Sequence, residues 1–149
     1  MAAPEPKQRT STLTAYYNEC NPFAAEWLRR LIREGRLPAG DVDERSITDV
    51  DSDDLRVYDE IHLFAGIGGW GLALMYSGID FTGCRVITGS APCQPFSVAT
   101  PEQRGTMDER HLWPEMQRII RGLRPDFVFG EQVTSKPARA WMCRVLREM

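Results

Sequence analysis

Apolar and polar positions along the chain alternate in two different rhythms, one suited to short strands and one to amphipathic helices. Residues 13 to 19, Leu-Thr-Ala-Tyr-Tyr-Asn-Glu, are rich in β-formers and end in polar residues, which predicts a short buried strand. Asn21-Pro22 is a helix-start signal, and Phe23, Trp27, Leu28, Leu31 and Ile32 recur at helical spacing until Gly35 stops the run after Glu34. The stretch from Gly40 to Glu60 is acidic, with a short strand predicted at Ser46 to Val50 or just before it, and with Asp51 to Asp54 as a solvated loop. Tyr58 to Phe64 reads as a strand, Ala65 to Gly69 as a glycine-rich turn, and Trp70 to Tyr76 as a helix ended by Gly78. Arg85 to Thr88 is a further strand. After a long loop come an amphipathic helix at Leu112 to Leu123, a strand at Phe127-Val128-Phe129, and a final helix at Lys136 to Met149 with Trp141, Val145 and Leu146 on one face.

Strands that alternate with helices predict an α/β fold, with a parallel sheet covered on both faces. The length of 149 residues fits one domain with a real core, here residues 13 to 149 behind a tail at 1 to 12. The longest apolar run, Ile61 to Met75, is glycine-rich, contains His62 and falls short of the roughly 20 residues of a membrane span, so a soluble, cytosolic protein is expected. Four cysteines (Cys20, Cys84, Cys93, Cys143) lie far apart without a CxxC pair, which disfavours zinc and, with no secretory signal, disulfides; no metal is expected. Net charge is −3, so any nucleic-acid contact has to come from a local patch or from a partner.

A strand, a Gly-x-Gly-Gly turn and a helix let backbone amides approach a ligand closely, although the same pattern also makes plain tight turns. The usual confirmation is an acid at the end of the next strand, to hold ribose hydroxyls. Positions 85 to 92 read Arg-Val-Ile-Thr-Gly-Ser-Ala-Pro and contain none. The candidates lie upstream instead: Glu19 at the end of the first strand, and Asp41 after Gly40. Each reads either as an acceptor of an adenosine pocket or as a helix-cap or surface charge.

At this point the segments resemble a known family. His62-Leu63-Phe64-Ala65-Gly66-Ile67-Gly68-Gly69 resembles the cofactor motif of DNA cytosine-5 methyltransferases, and Gly89-Ser90-Ala91-Pro92-Cys93-Gln94-Pro95-Phe96-Ser97 resembles their catalytic Pro-Cys-Gln motif. Arg104 to Ile120 looks like the segment that follows, and Phe127-Val128-Phe129-Gly130-Glu131-Gln132-Val133 is similar to the strand ending in Glu-Asn-Val. Asn18-Glu19 and Gly40-Asp41-Val42 resemble the second and third motifs but precede the first, which implies a circular permutation of the cofactor half. His62 stands where the family mostly has aspartate, Asn21 where an acid often follows the adenosine site, and Gln132 where it has asparagine.

The resemblance implies a Rossmann-like class I S-adenosylmethionine-dependent fold, with a partial, mostly parallel sheet. It implies S-adenosylmethionine as cofactor, with Phe64, Ala65, Gly66, Ile67, Gly68, Gly69 and Pro92 around it, Glu19 at the ribose, and Asp41 with Val42 at the adenine. Trp70 either packs on the cofactor or belongs to the core. It further implies Cys93 as nucleophile on cytosine C6 and Glu131 as the acid at N3. Arg104, Arg110 and His111 read as phosphate contacts or as solvated loop charges, and Arg118, Arg121 and Arg124 as an exposed face. Family members continue into an arginine-containing motif and a target-recognition domain that are expected to be missing here. The chain is thus read as the catalytic portion of a DNA cytosine-5 methyltransferase, with a flipped cytosine in DNA reached through a partner or a further domain. The other reading is a truncated binding module or half of a split enzyme. An open sheet edge after the Phe127 strand adds an expected homo-oligomer or partner chain.

Overall fold

The computed structural model describes residues 15–92, 112–133 and 135–148. Cys93, Arg104, Arg110, His111 and the tail at 1 to 12 lie outside them. Five strands and four helices follow one another as β1 (Ala15–Asn18), α1 (Pro22–Arg33), β2 (Gly40–Asp43), β3 (Glu60–Leu63), α2 (Gly69–Tyr76), β4 (Val86–Gly89), α3 (Trp113–Leu123), β5 (Phe127–Gly130) and α4 (Lys136–Glu148). Two short 3₁₀ turns, Ile47–Asp49 and Asp53–Leu55, sit between β2 and β3. The strand expected near Ser46 to Val50 is therefore β2, ending before it, and residues 47–49 form a turn instead. Ser46 caps that turn through its hydroxyl, a local bond that competes with extension.

All four strand pairings are parallel, in the order β2-β1-β3-β4-β5. Gly40 is required in β2, because a Cβ there would collide with the Ala15 carbonyl. Counted from the strand that precedes the glycine turn, the spatial order becomes 3-2-1-4-5, the doubly wound order. The fold is Rossmann-like, and this strand order is the one a permuted chain requires.

This strand order has a topological consequence. Gly71 of α2 lies against Tyr17, His62 and Leu37, and Tyr17 and Leu37 also pack with Leu28 of α1, so α1 and α2 cover one face. Yet β1 to β2 and β3 to β4 step in opposite directions across the sheet. The two crossovers are consequently of opposite hand, whereas parallel crossovers are nearly always right-handed.

The other face carries the main core, in which Tyr16, Ile61, Leu63 and Ile87 of the strands meet Met116, Ile119, Trp141 and Val145 of α3 and α4. Leu146, expected on the same helix face, is 70% exposed. On α1 only Ala25 and Leu28 are buried, while Phe23 is 81% and Trp27 40% exposed. The sheet margin beneath α1 offers only Ala15, Tyr17 and Val42, too narrow for the whole stripe. Arg118 is likewise not a free surface charge, since its guanidinium donates to the carbonyls of Ile47 and Val50 and pins the turn before β3 to α3.

Candidate active site

Parallel pairing in register places Asn18, Leu63, Gly89 and Gly130 side by side at one sheet edge. Whatever follows each strand is delivered to the same crevice, the place where ligands bind in open α/β sheets. Here those residues are Glu19, the Phe64–Gly69 turn, Ser90-Ala91-Pro92, and Glu131.

On one side, Phe64 leaves β3 in the left-handed region (φ 54°), an uncommon conformation for a bulky residue and a local strain. The Ala65 N–H donates to the Asn18 carbonyl at 2.9 Å, and Gly68, at φ 91°, caps α2. The Glu19 carboxylate joins two segments remote in sequence: Oε2 accepts the Gly66 N–H at 2.8 Å and Oε1 the Asn21 N–H at 2.9 Å. A carboxylate offers about four acceptor positions, so about two remain open to a ligand. Nothing lies within 4 Å of where a Gly66 Cβ would stand, leaving the backbone there approachable.

A cavity of about 200 Å³ opens at this point, lined by Glu19, Ser46, Ile47, Phe64, Pro92 and Leu112 among others. Pro92 is thus within reach of the acid and the turn. Asp41 and Val42 are not in its lining. Asp41 lies two residues before the end of β2 and its Oδ2 accepts the Tyr58 hydroxyl at 2.7 Å, while Val42 packs beside Leu28 on the opposite face. Burial and the Asp41 carboxylate push the Tyr58 hydroxyl up to about 12. Ser46 and Ile47, on the turn that follows β2, line the cavity instead. Of the glycine run, Ala65 is buried against α1, whereas Ile67, Gly68 and Gly69 border a separate apolar cavity of about 410 Å³ with Trp27 and Leu72.

On the other side, Gln132 leaves the β5 exit and its amide nitrogen donates to the Ala91 carbonyl at 3.3 Å. Trp70 donates from its indole nitrogen to the Ser90 hydroxyl at 2.9 Å and packs on Phe129 with ring centroids 6.3 Å apart. Trp70 is therefore tied to the strand exits. Glu131 is exposed and borders a cavity of about 200 Å³ with Gly89, Ala91, Trp113, Met116 and Gly130. Cys93 follows Pro92 directly in sequence but lies outside the described residues.

His62 points away from the crevice. Its ring stacks on Tyr17 at 4.8 Å, and its nitrogens bond Thr88 Oγ1 and Glu60 Oε1, each at 2.7 Å. An aspartate's place is thereby filled by an internally satisfied histidine. Among the described residues no group of three or more His, Cys, Asp or Glu side chains is arranged to hold a metal, and no helix is long and apolar enough to cross a membrane. Cys20 and Cys143 are exposed free thiols rather than buried small residues, and Cys84 is half-buried.

The family model described as C-5 cytosine-specific DNA methylase matches residues 79–135. That is less than half of the chain, and it spans β4, the Pro92-Cys93 segment, α3 and the β5 exit with Glu131. No curated protein and no solved structure matches the chain. The glycine turn, Glu19 and β2 fall outside the matched stretch, but the sheet brings the first two to the same edge as β4 and β5. Over residues 79–135, and over that stretch alone, the chain is similar to the C-5 cytosine-specific DNA methylase family.

Proposed function

We propose that this chain carries the donor pocket and reacting groups of a DNA cytosine-5 methyltransferase. The observation that carries the reading is the single cavity that joins Glu19, Phe64 and Pro92, with Glu19 bonded to the Gly66 amide. The residues fit a nucleoside-bearing cofactor: a carboxylate with acceptor positions to spare for a ribose diol, an approachable glycine backbone, and Ile47 as an apolar wall. S-adenosylmethionine, when bound, supplies an electrophilic methyl group.

The chain's own groups do the rest. The Cys93 thiolate adds to C6 of a cytosine turned out of the stack, forming a C–S bond and pushing electron density to C5. Glu131, protonated, donates a hydrogen bond to N3 and stabilises the negative charge that builds there. C5 then takes the methyl group, the donor sulfonium leaving as a neutral thioether; a water molecule removes the C5 proton, and those electrons re-form the C5=C6 bond as the C–S bond breaks and Cys93 departs as thiolate. Pro92 stiffens the approach to the thiol.

One observation favours a second reading, in which this chain is a binding module or one part of a split enzyme that acts on DNA with a partner or a second copy. β5 is the margin of the described sheet and Phe127 on it is 45% exposed, an open edge of the kind that pairs with further chain. Denaturant-stable adducts with duplex DNA containing 5-fluorocytosine separate the two. Wild-type protein with S-adenosylmethionine is expected to form one and Cys93→Ser none. Absence of an adduct from wild type, alone and with a candidate partner chain, would reject methyl transfer and leave the binding reading.

A further inference from the structure

The crevice has two halves, and one side chain spans them. Trp70 stands in the first turn of α2, next to the glycine run that forms the donor side. Its indole N–H reaches Ser90, three residues before Cys93, and its ring packs on Phe129, two residues before Glu131. Gln132 grips the neighbouring carbonyl of Ala91 from the opposite flank. The exit of β4 is therefore held from both sides, and one of the two holds comes from the donor turn.

The indole is only partly buried, so it does not owe this hydrogen bond to core satisfaction alone. A phenylalanine would fill the same place against Phe129, which makes the N–H the distinguishing feature. Core packing explains the ring; it does not explain the bond to Ser90.

We infer that Trp70 is a positioning residue: through Ser90 it fixes the exit of β4, Ser90-Ala91-Pro92, which leads in sequence to Cys93, and so ties the donor side of the crevice to that exit. This inference rests on the methyl-transfer reading for its consequence in turnover, but not for the contact itself. An indole N–H to hydroxyl bond is worth a modest amount, so its loss is expected to change the affected rate by about threefold to tenfold.

The test uses the full chain as wild type, Trp70→Phe, Ser90→Ala, the double variant, and Ser90→Thr, with two readouts. In methyl transfer to DNA, kcat is expected to fall by about threefold to tenfold in each single variant, with KM for S-adenosylmethionine within about twofold of wild type. The double variant should be no worse than either single one, and Ser90→Thr should restore the rate. Alkylation of Cys93 by iodoacetamide, read by peptide mass spectrometry, is expected to change by about threefold in the same variants while Cys20, Cys84 and Cys143 keep their rates. Unchanged kcat, or losses that multiply in the double variant, would overturn the inference while leaving methyl transfer standing. If wild type transfers no methyl group, the functional reading fails by itself and the alkylation series decides the inference: equal Cys93 rates in wild type and Trp70→Phe overturn it.

Discussion

Replacing Glu19 tests the donor side where its geometry is best defined. Its carboxylate accepts from the Gly66 and Asn21 backbones and keeps about two acceptor positions for a ribose diol. Hydrogen bonds to a charged acceptor contribute about 1.5–3 kcal/mol each, and a half-exposed site belongs near the low end. Glu19→Ala should therefore weaken binding of S-adenosylhomocysteine by about 2–3 kcal/mol, roughly 30-fold to 150-fold in Kd. Glu19→Gln keeps one oxygen for the Gly66 N–H and loses the charge, so a smaller loss, roughly fivefold to tenfold, is expected. The cost to the fold should be small. Asn21 N–H is exposed and turns to water, leaving the Gly66 N–H as the main loss, about 1 kcal/mol and about 3 °C in Tm. Titration calorimetry with thermal melts of the same samples reads both effects. Glu19→Ala that melts as a folded protein and binds within twofold of a micromolar wild type would refute the reasoning. A folded wild type that gives no heat would remove the donor pocket altogether.

Two further outcomes concern the scaffold. Burial works against the Asp43 charge, but Arg45, through its side chain and backbone N–H, and the Tyr16 hydroxyl outweigh it and hold the carboxyl below its usual range. Its contribution, about 1 kcal/mol, is full above about pH 4 and lost as pH falls through the depressed folded value. The Tm deficit of Asp43→Asn should thus be clear at pH 7 and shrink by at least half at about pH 3; a deficit independent of pH refutes this. Gly71→Val places methyl groups where a Cβ already stands 3.3 Å from His62 Nε2, Leu37 and Tyr17, so overpacking should cost about 1–3 kcal/mol. An unchanged melting temperature would show that α2 is not seated there.

Periodicity and punctuation placed every described helix to within a residue or two, because Asn21-Pro22, Gly35, Gly78 and Pro125 act locally on the backbone. The glycine turn and the Glu131 strand exit were legible for the same reason: each is written in consecutive residues. The permutation was implied only by the resemblance of Asn18-Glu19 and Gly40-Asp41-Val42 to motifs that precede the glycine motif here.

What neighbours touch was another matter. Asp41 and Ser46 are both short polar residues of one acidic stretch, and only the register of β2 against β1 puts the first mid-strand under Tyr58 and the second beyond the strand, at the crevice. Leu146 and Trp27 carry helical periodicity yet stay exposed, because whether an apolar stripe is covered depends on how far the opposing layer extends. Arg118 was indistinguishable from Arg121 in sequence until the turn at 47–50 folded against it. Trp70 reached Ser90 only because β3 and β4 pair in register, which puts the start of α2 beside the exit of β4. The sequence on its own determined which segments form and which chemistry they bear, since those follow from local sterics and residue type. Only the tertiary structure decided which of them meet, because that is set by sheet order and register, long-range choices that no local pattern encodes.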